Sequence, residues 1–149
     1  MKFNRRRFLQ AFGAAAAVAV TPSIVRANSV PHVVVAGGGF AGATAAKYLR
    51  MWSDKTIDVT LVDPNASHTS CVMSNLVLNR RLRLSELELS YDSLRDFYGV
   101  SVVRGRVSQV NASTNMVTLD DGSKLAYDRL VIATGIEFDA PEGTDFAKT

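Results

Sequence analysis

The run Val33-Val34-Val35-Ala36-Gly37-Gly38-Gly39-Phe40-Ala41-Gly42 passes from four apolar residues straight into a cluster of glycines. A short, continuously apolar segment suits a strand buried on both faces of a parallel sheet. The glycines behind it fit G-x-G-x-x-G, with Gly37, Gly39 and Gly42 at the defining positions. That spacing is weak evidence alone. Here it follows a strand and opens an alanine-rich helix, Phe40 to Met51, whose Lys47 and Arg50 suit a helix C-terminus. Gly37 allows the tight turn and Gly39 lets backbone approach a pyrophosphate. Gly42, with Ala46 and Leu49, brings helix and strand together. The first turn, from Phe40 and Ala41, then offers free N–H groups and the positive dipole end to phosphate.

Outward from the turn, Ile57 to Val62 alternates and is β-branched, a second strand that completes a strand–helix–strand unit. Asp63 ends it, 26 residues beyond Gly37, where an acid hydrogen-bonds a ribose hydroxyl. Pro64 and Asn65 follow it and are expected cofactor contacts. Asp63 to Asn79 is a polar segment long enough to be functional, and it contains Cys71. Tyr91 to Tyr98 reads as a short helix. Val100–Val110, Met116–Leu119 and Lys124–Tyr127 read as strands, the last two joined by Asp120-Asp121-Gly122. Leu130 to Ala133 is a further buried strand ending at Thr134-Gly135. The expected class is α/β: a Rossmann-like dinucleotide domain, a parallel sheet with helices plus a small three-stranded antiparallel excursion, incomplete in this chain.

Residues 1–27 stand outside that unit. Asn4-Arg5-Arg6-Arg7-Phe8-Leu9-Gln10 is a twin-arginine pattern, followed by apolar Ala11–Val20 and by Val25-Arg26-Ala27, a small-residue cleavage site. Ten apolar residues are about half of what a bilayer-crossing helix needs. The pattern predicts export to the periplasm, a mature chain from residue 28 to 149 and no membrane span within it. The whole chain carries 17 basic against 14 acidic residues. Lys2, Arg5, Arg6, Arg7 and Arg26 leave with the leader, which has no acid, so the remainder holds 12 against 14, a balance of −2. No nucleic-acid footprint remains, and the short Arg80-Arg81-Leu82-Arg83 cluster reads as a solvated face. One cysteine cannot form an internal disulfide, so Cys71 is buried, paired elsewhere or chemically used. The twin-arginine route carries folded proteins, which favours a cofactor loaded before export.

Leu130-Val131-Ile132-Ala133-Thr134-Gly135 resembles the "ATG" strand of two-dinucleotide flavoproteins of the glutathione reductase type, where it follows an antiparallel excursion like Val102–Tyr127. A simple NAD dehydrogenase would show further βαβ units instead, so the expected cofactor is FAD. Val62-Asp63-Pro64-Asn65 with Cys71-Val72-Met73-Ser74-Asn75 resembles the flavoprotein subunit of flavocytochrome c sulfide dehydrogenase. Gly37 to Leu49 and Tyr91-Asp92-Ser93-Leu94-Arg95 add to the likeness. That resemblance implies a thioether from Cys71 to the flavin 8α-methyl group, oxidation of sulfide to sulfur or polysulfide, and electron transfer to a c-type cytochrome subunit. It also implies cofactor contacts at Ser74, Asn75, Val107, Thr134 and Gly135. The eight residues from Asp63 to Cys71 reach at most about 27 Å when extended, enough to follow FAD from ribose to isoalloxazine.

Other readings stay open. Cys71 is a structural thiol in one of them, His68 a plain loop residue rather than a flavin-edge residue, and His32 merely precedes the first strand. The family's two redox cysteines lie later in its chain and are not among these 149 residues, which suggests a fragment. No catalytic base and no metal ligand set is identified. The rival functions are a sulfide:quinone or NADH:quinone-type reductase, and a non-catalytic nucleotide-binding remnant.

Overall fold

A computed structural model describes residues 30–136. The expected leader and cleavage site, and everything from residue 137 onward, lie outside the described residues. β1 (His32–Ala36) runs into the glycine turn, α1 (Phe40–Trp52) leaves it, and β2 (Asp58–Asp63) returns parallel to β1 with Val35 opposite Leu61. Next come β3 (Ser67–Thr69), α2 (Ser74–Leu78), a 3-10 turn at Leu84–Leu87, β4 (Glu88–Ser90) and α3 (Asp92–Asp96). β5 (Ser101–Arg104) precedes three antiparallel strands, β6 (Val107–Asn111), β7 (Met116–Leu119) and β8 (Lys124–Ala126). β9 (Arg129–Ile132) then returns to the main sheet, whose order is β5-β2-β1-β9, parallel throughout. This is the α/β, Rossmann-like architecture read from the sequence.

Side chains alternate across a strand, so β1 and β2 feed two cores at once. Val33, Val35, Val59 and Leu61 pack with Ala46 of α1, Leu94 and Val100 on one face. Val34 and Val62 pack on the other face with Val117, Leu119 and Tyr127 of the antiparallel excursion. Each fully buried valine or leucine among them contributes about 1.5–3 kcal/mol relative to exposure. Burial on both faces is why the run is apolar without a polar alternation.

Several local expectations give way. Val100–Val110 is not one strand but two, broken at Gly105–Arg106: β5 completes the parallel sheet and β6 opens the antiparallel one. The corner is held where Gly105 N donates to the Asp63 carbonyl (3.0 Å), Arg106 N donates to Asp120 Oδ1 (3.1 Å), and Asp120 N donates to the Arg106 carbonyl (2.9 Å). The Cys71 segment is not an open loop either, because β3 pairs antiparallel with β4, Ser67 opposite Ser90. Arg50 does not simply face the helix dipole. It is buried, and its guanidinium donates to the carbonyls of Tyr98 (3.0 Å), Lys55 (3.2 Å) and Ile57 (2.5 Å) and to Asp58 Oδ1 (3.3 Å). His32 belongs to β1, its ring bonded to the Ala126 carbonyl and Thr60 Oγ1, both at 2.8 Å.

Candidate functional site

Each glycine of the turn has its own reason to be there. Gly37 has φ +102°, and a Cβ on it would lie 2.3 Å from the Ala133 carbonyl oxygen. A Cβ on Gly42 would lie 1.8 Å from the Gly37 carbonyl oxygen, and one on Gly38 would lie 2.3 Å from the Tyr91 hydroxyl. Those three are required by the fold. Gly39 is not: its backbone is extended (φ −65°, ψ −169°), and a Cβ there would meet only His68 Cε1, at 3.9 Å. Space that the chain itself leaves unused at the N-terminus of α1 suits an incoming group. No side chain caps α1, so its first-turn N–H groups are left for a ligand, and the dipole favours an anionic one.

Asp63 ties the turn to β2. Its Oδ2 accepts from Gly38 N at 2.6 Å and its Oδ1 from Asn65 N at 2.8 Å, and the residue is 9% exposed. Each oxygen keeps a further lone pair for a ribose hydroxyl. Beside it a cleft of about 470 Å³ opens at the C-terminal ends of β1 and β2. Seven predicted residues line it together: Gly37, Asp63, Pro64, Asn65, Val107, Thr134 and Gly135. Sequence reasoning missed Gly105 and Arg106 in that wall. The available signal was a glycine interrupting the run that begins at Val100.

A second hollow, about 230 Å³, lies on the α1 side and is lined by Gly39, Phe40, Lys47, His68 and Tyr91 among others. Tyr91 is buried; its burial first, and the Asp63 carboxylate second, push its pKa up to about 12, so it stays a neutral phenol beside any phosphate. His68 lies on β3, not in a loop, edge-on to Phe40 at 4.8 Å, and its buried Nε2 has no hydrogen-bond partner. Ala41 is exposed on the first turn of α1. Cys71, Ser74 and Asn75 are exposed and stand apart from the residues lining the cleft. Their segment is pinned by buried Ser70, whose N–H donates to the Leu87 carbonyl (2.8 Å) and whose Oγ accepts from Val72 N (3.1 Å).

The family described as pyridine nucleotide-disulphide oxidoreductase matches residues 31–146. The chain belongs to it. Membership places the chain in a family of oxidoreductases and implies a flavin cofactor; the glycine turn, the carboxylate and the cleft are features that suit a dinucleotide. This family member is 56% identical over 46 residues to the sulfide dehydrogenase [flavocytochrome c] flavoprotein chain of Chlorobaculum thiosulfatiphilum, covering 31% of this chain and 94% of that sequence. It is 31% identical over 125 residues to the mitochondrial sulfide:quinone oxidoreductase of Mus musculus, covering 78% of this chain but 27% of that one. Among solved structures it resembles the sulfide:quinone oxidoreductase of Aquifex aeolicus, with TM-score 0.63 and 26% identity over 72% of this chain and 25% of that one. The chain thus spans about a quarter of the length of the last two relatives. No helix among the described residues is long and apolar enough to cross a membrane.

Proposed function

We propose that this oxidoreductase chain is the FAD-binding part of a periplasmic enzyme that oxidises sulfide to sulfur or polysulfide and passes the electrons to a c-type cytochrome. The observation that carries the reading is the 56% identity to a flavocytochrome c flavoprotein chain. Bound flavin would supply the chemistry, taking two electrons from the sulfur compound and handing them on to the acceptor. This chain's residues do the holding. The N–H groups around Gly39, Phe40 and Ala41 receive the pyrophosphate, Asp63 the ribose, and Val107, Thr134 and Gly135 wall the cleft. Cys71, followed by Ser74 and Asn75, would tether the flavin through a thioether to its 8α-methyl carbon, the thiol hydrogen and one methyl hydrogen leaving as two protons and two electrons, the electrons passing to the enzyme's electron acceptor. Its exposure favours that role, since a thiol must be reachable to bond a cofactor.

Acid denaturation of the full-length protein tests the tether. The precipitate is expected to stay yellow and to show the mass of the chain plus one FAD, while Cys71→Ser binds flavin but releases it in acid. Wild-type protein that loses all its flavin, with Cys71 titrating as a free thiol, would refute covalent attachment. Export rests on Arg5-Arg6, and normal periplasmic delivery of a variant with lysine at both positions would refute the twin-arginine route. A second reading, a sulfide:quinone oxidoreductase, is favoured by the mouse and Aquifex likenesses. Sulfide-dependent reduction of a quinone but not of cytochrome c would select it.

A further inference from the structure

The run Gly37-Gly38-Gly39-Phe40-Ala41-Gly42-Ala43 contains no polar side chain. Any side-chain hydrogen bond to a group bound there must reach in from another element. Tyr91, at the start of α3, does reach the turn. It is 5% exposed and packs in the core beneath β1 and α1, with its hydroxyl against the middle of the turn. A Cβ on Gly38 would lie 2.3 Å from that oxygen and 2.6 Å from the ring carbon bearing it. The hydroxyl therefore stands beside the residue whose N–H binds Asp63 and which adjoins the open position at Gly39.

Buried phenols usually find a partner for the hydroxyl. This one makes no hydrogen bond among the described residues. The Asp63 carboxylate is near enough to push its pKa up, yet the carboxylate oxygens accept from Gly38 N and Asn65 N instead. Nor is the hydroxyl enclosed, because among the described residues the fully enclosed side-chain polar atom without a partner is His68 Nε2. Tyr91 lines the hollow of about 230 Å³ together with Gly38, Gly39 and Phe40, and a neighbouring one together with Asp63 and Asn65.

We propose that Tyr91 is a cofactor-binding residue, its hydroxyl donating to a pyrophosphate oxygen of the dinucleotide at the Gly38–Gly39 turn. The inference rests on the reading of the glycine turn as the pyrophosphate site. Phosphate oxygens are strong acceptors, and a donor fixed in advance by packing gives up little freedom on binding. With its pKa pushed up to about 12, the phenol keeps the proton it donates through neutral pH. Gly38 is then a glycine so that this hydroxyl can come close to the turn.

Affinities measured on the full-length chain carrying Cys71→Ser, in which flavin exchanges freely, test this. Tyr91→Phe keeps the ring and removes one oxygen. Because that oxygen bonds nothing in the described protein, the urea midpoint of the flavin-free variant is expected to be unchanged. The Kd for FAD and for ADP is expected to rise about tenfold, the scale of one charge-assisted hydrogen bond, with the Kd for adenosine unchanged. Unchanged FAD and ADP affinities would overturn the proposal, as would an equal loss for adenosine. A lowered midpoint would overturn it too, by showing that the hydroxyl is already bonded within the protein. Gly39→Val separates the two layers. If it abolishes ADP binding while Tyr91→Phe does not weaken it, only the tyrosine's role is lost; if Gly39→Val also leaves ADP binding intact, the pyrophosphate site itself is wrong.

Discussion

Gly39 and Gly42 stand three residues apart on the same turn, yet a methyl group added to each meets different surroundings. On Gly42 it would press on backbone, 1.8 Å from the Gly37 oxygen and 2.9 Å from its carbon, so α1 would have to lift from β1. Gly42→Ala is expected to destabilise the flavin-free protein by about 1–3 kcal/mol, read as a lowered urea midpoint. On Gly39 the methyl group enters open space, and the backbone there is one that alanine adopts without strain. Gly39→Ala is expected to leave that midpoint unchanged or slightly higher, as removing a glycine's freedom from the unfolded chain does. The same variant should weaken FAD binding at least tenfold, because the methyl group takes the pyrophosphate's place. A Gly39→Ala protein that unfolds early and binds normally would invert the assignment of the two glycines.

At the scale of elements, Arg50 joins the end of α1 to two later stretches of chain. One guanidinium holds three carbonyls, from the α1–β2 connection and from the end of the segment after α3, and it also reaches Asp58. Arg50→Lys keeps the charge but loses the fork, leaving carbonyls unpaired, and is expected to cost about 2–3 kcal/mol in thermal or urea unfolding. A loss below about 0.5 kcal/mol would mean that water replaces the fork freely. The sequence showed Arg50 only as a basic residue in a last helical turn, because its partners are carbonyls 5, 7 and 48 residues away. What was legible was local. The Val33–Ala36 strand, the α1 start and Asp63 were readable because each is written in a few adjacent residues. The break at Gly105–Arg106 was hidden inside a run whose residues, valines before and after, suit a strand on either side. β3 and β4 are three polar-rich residues each, too short for a period, and are defined only by one another. For the same reason His68 looked like a loop residue, since its meeting with Phe40 depends on that pairing.

For the whole molecule, coverage is uneven. The inner strands β1 and β2 are sealed on both faces, but among the described residues β9 pairs only with β1 and its outer edge has no partner there. Ile132 on that strand is 68% exposed and Ile136 just beyond it 84%. An apolar open edge invites pairing with another chain. Residues 30–136 expressed alone are therefore expected to aggregate at micromolar concentration, and Ile132→Lys with Ile136→Lys to keep them monodisperse by light scattering. A monodisperse parent fragment would show the edge to be harmless. The same β9 has a bearing on time as well as on shape. Its Arg129 sits beside Val33 across 96 residues of chain, whereas β1 meets β2 across 26. A ribosome adding about 5–20 residues per second delivers β9 roughly 5–20 s after β1. Until then Gly37 has no Ala133 to pack on, and the cleft lacks the wall made by Thr134 and Gly135. The nucleotide thus meets this cleft with β9 in place rather than an emerging strand, and the pace of translation sets the earliest moment at which that wall exists.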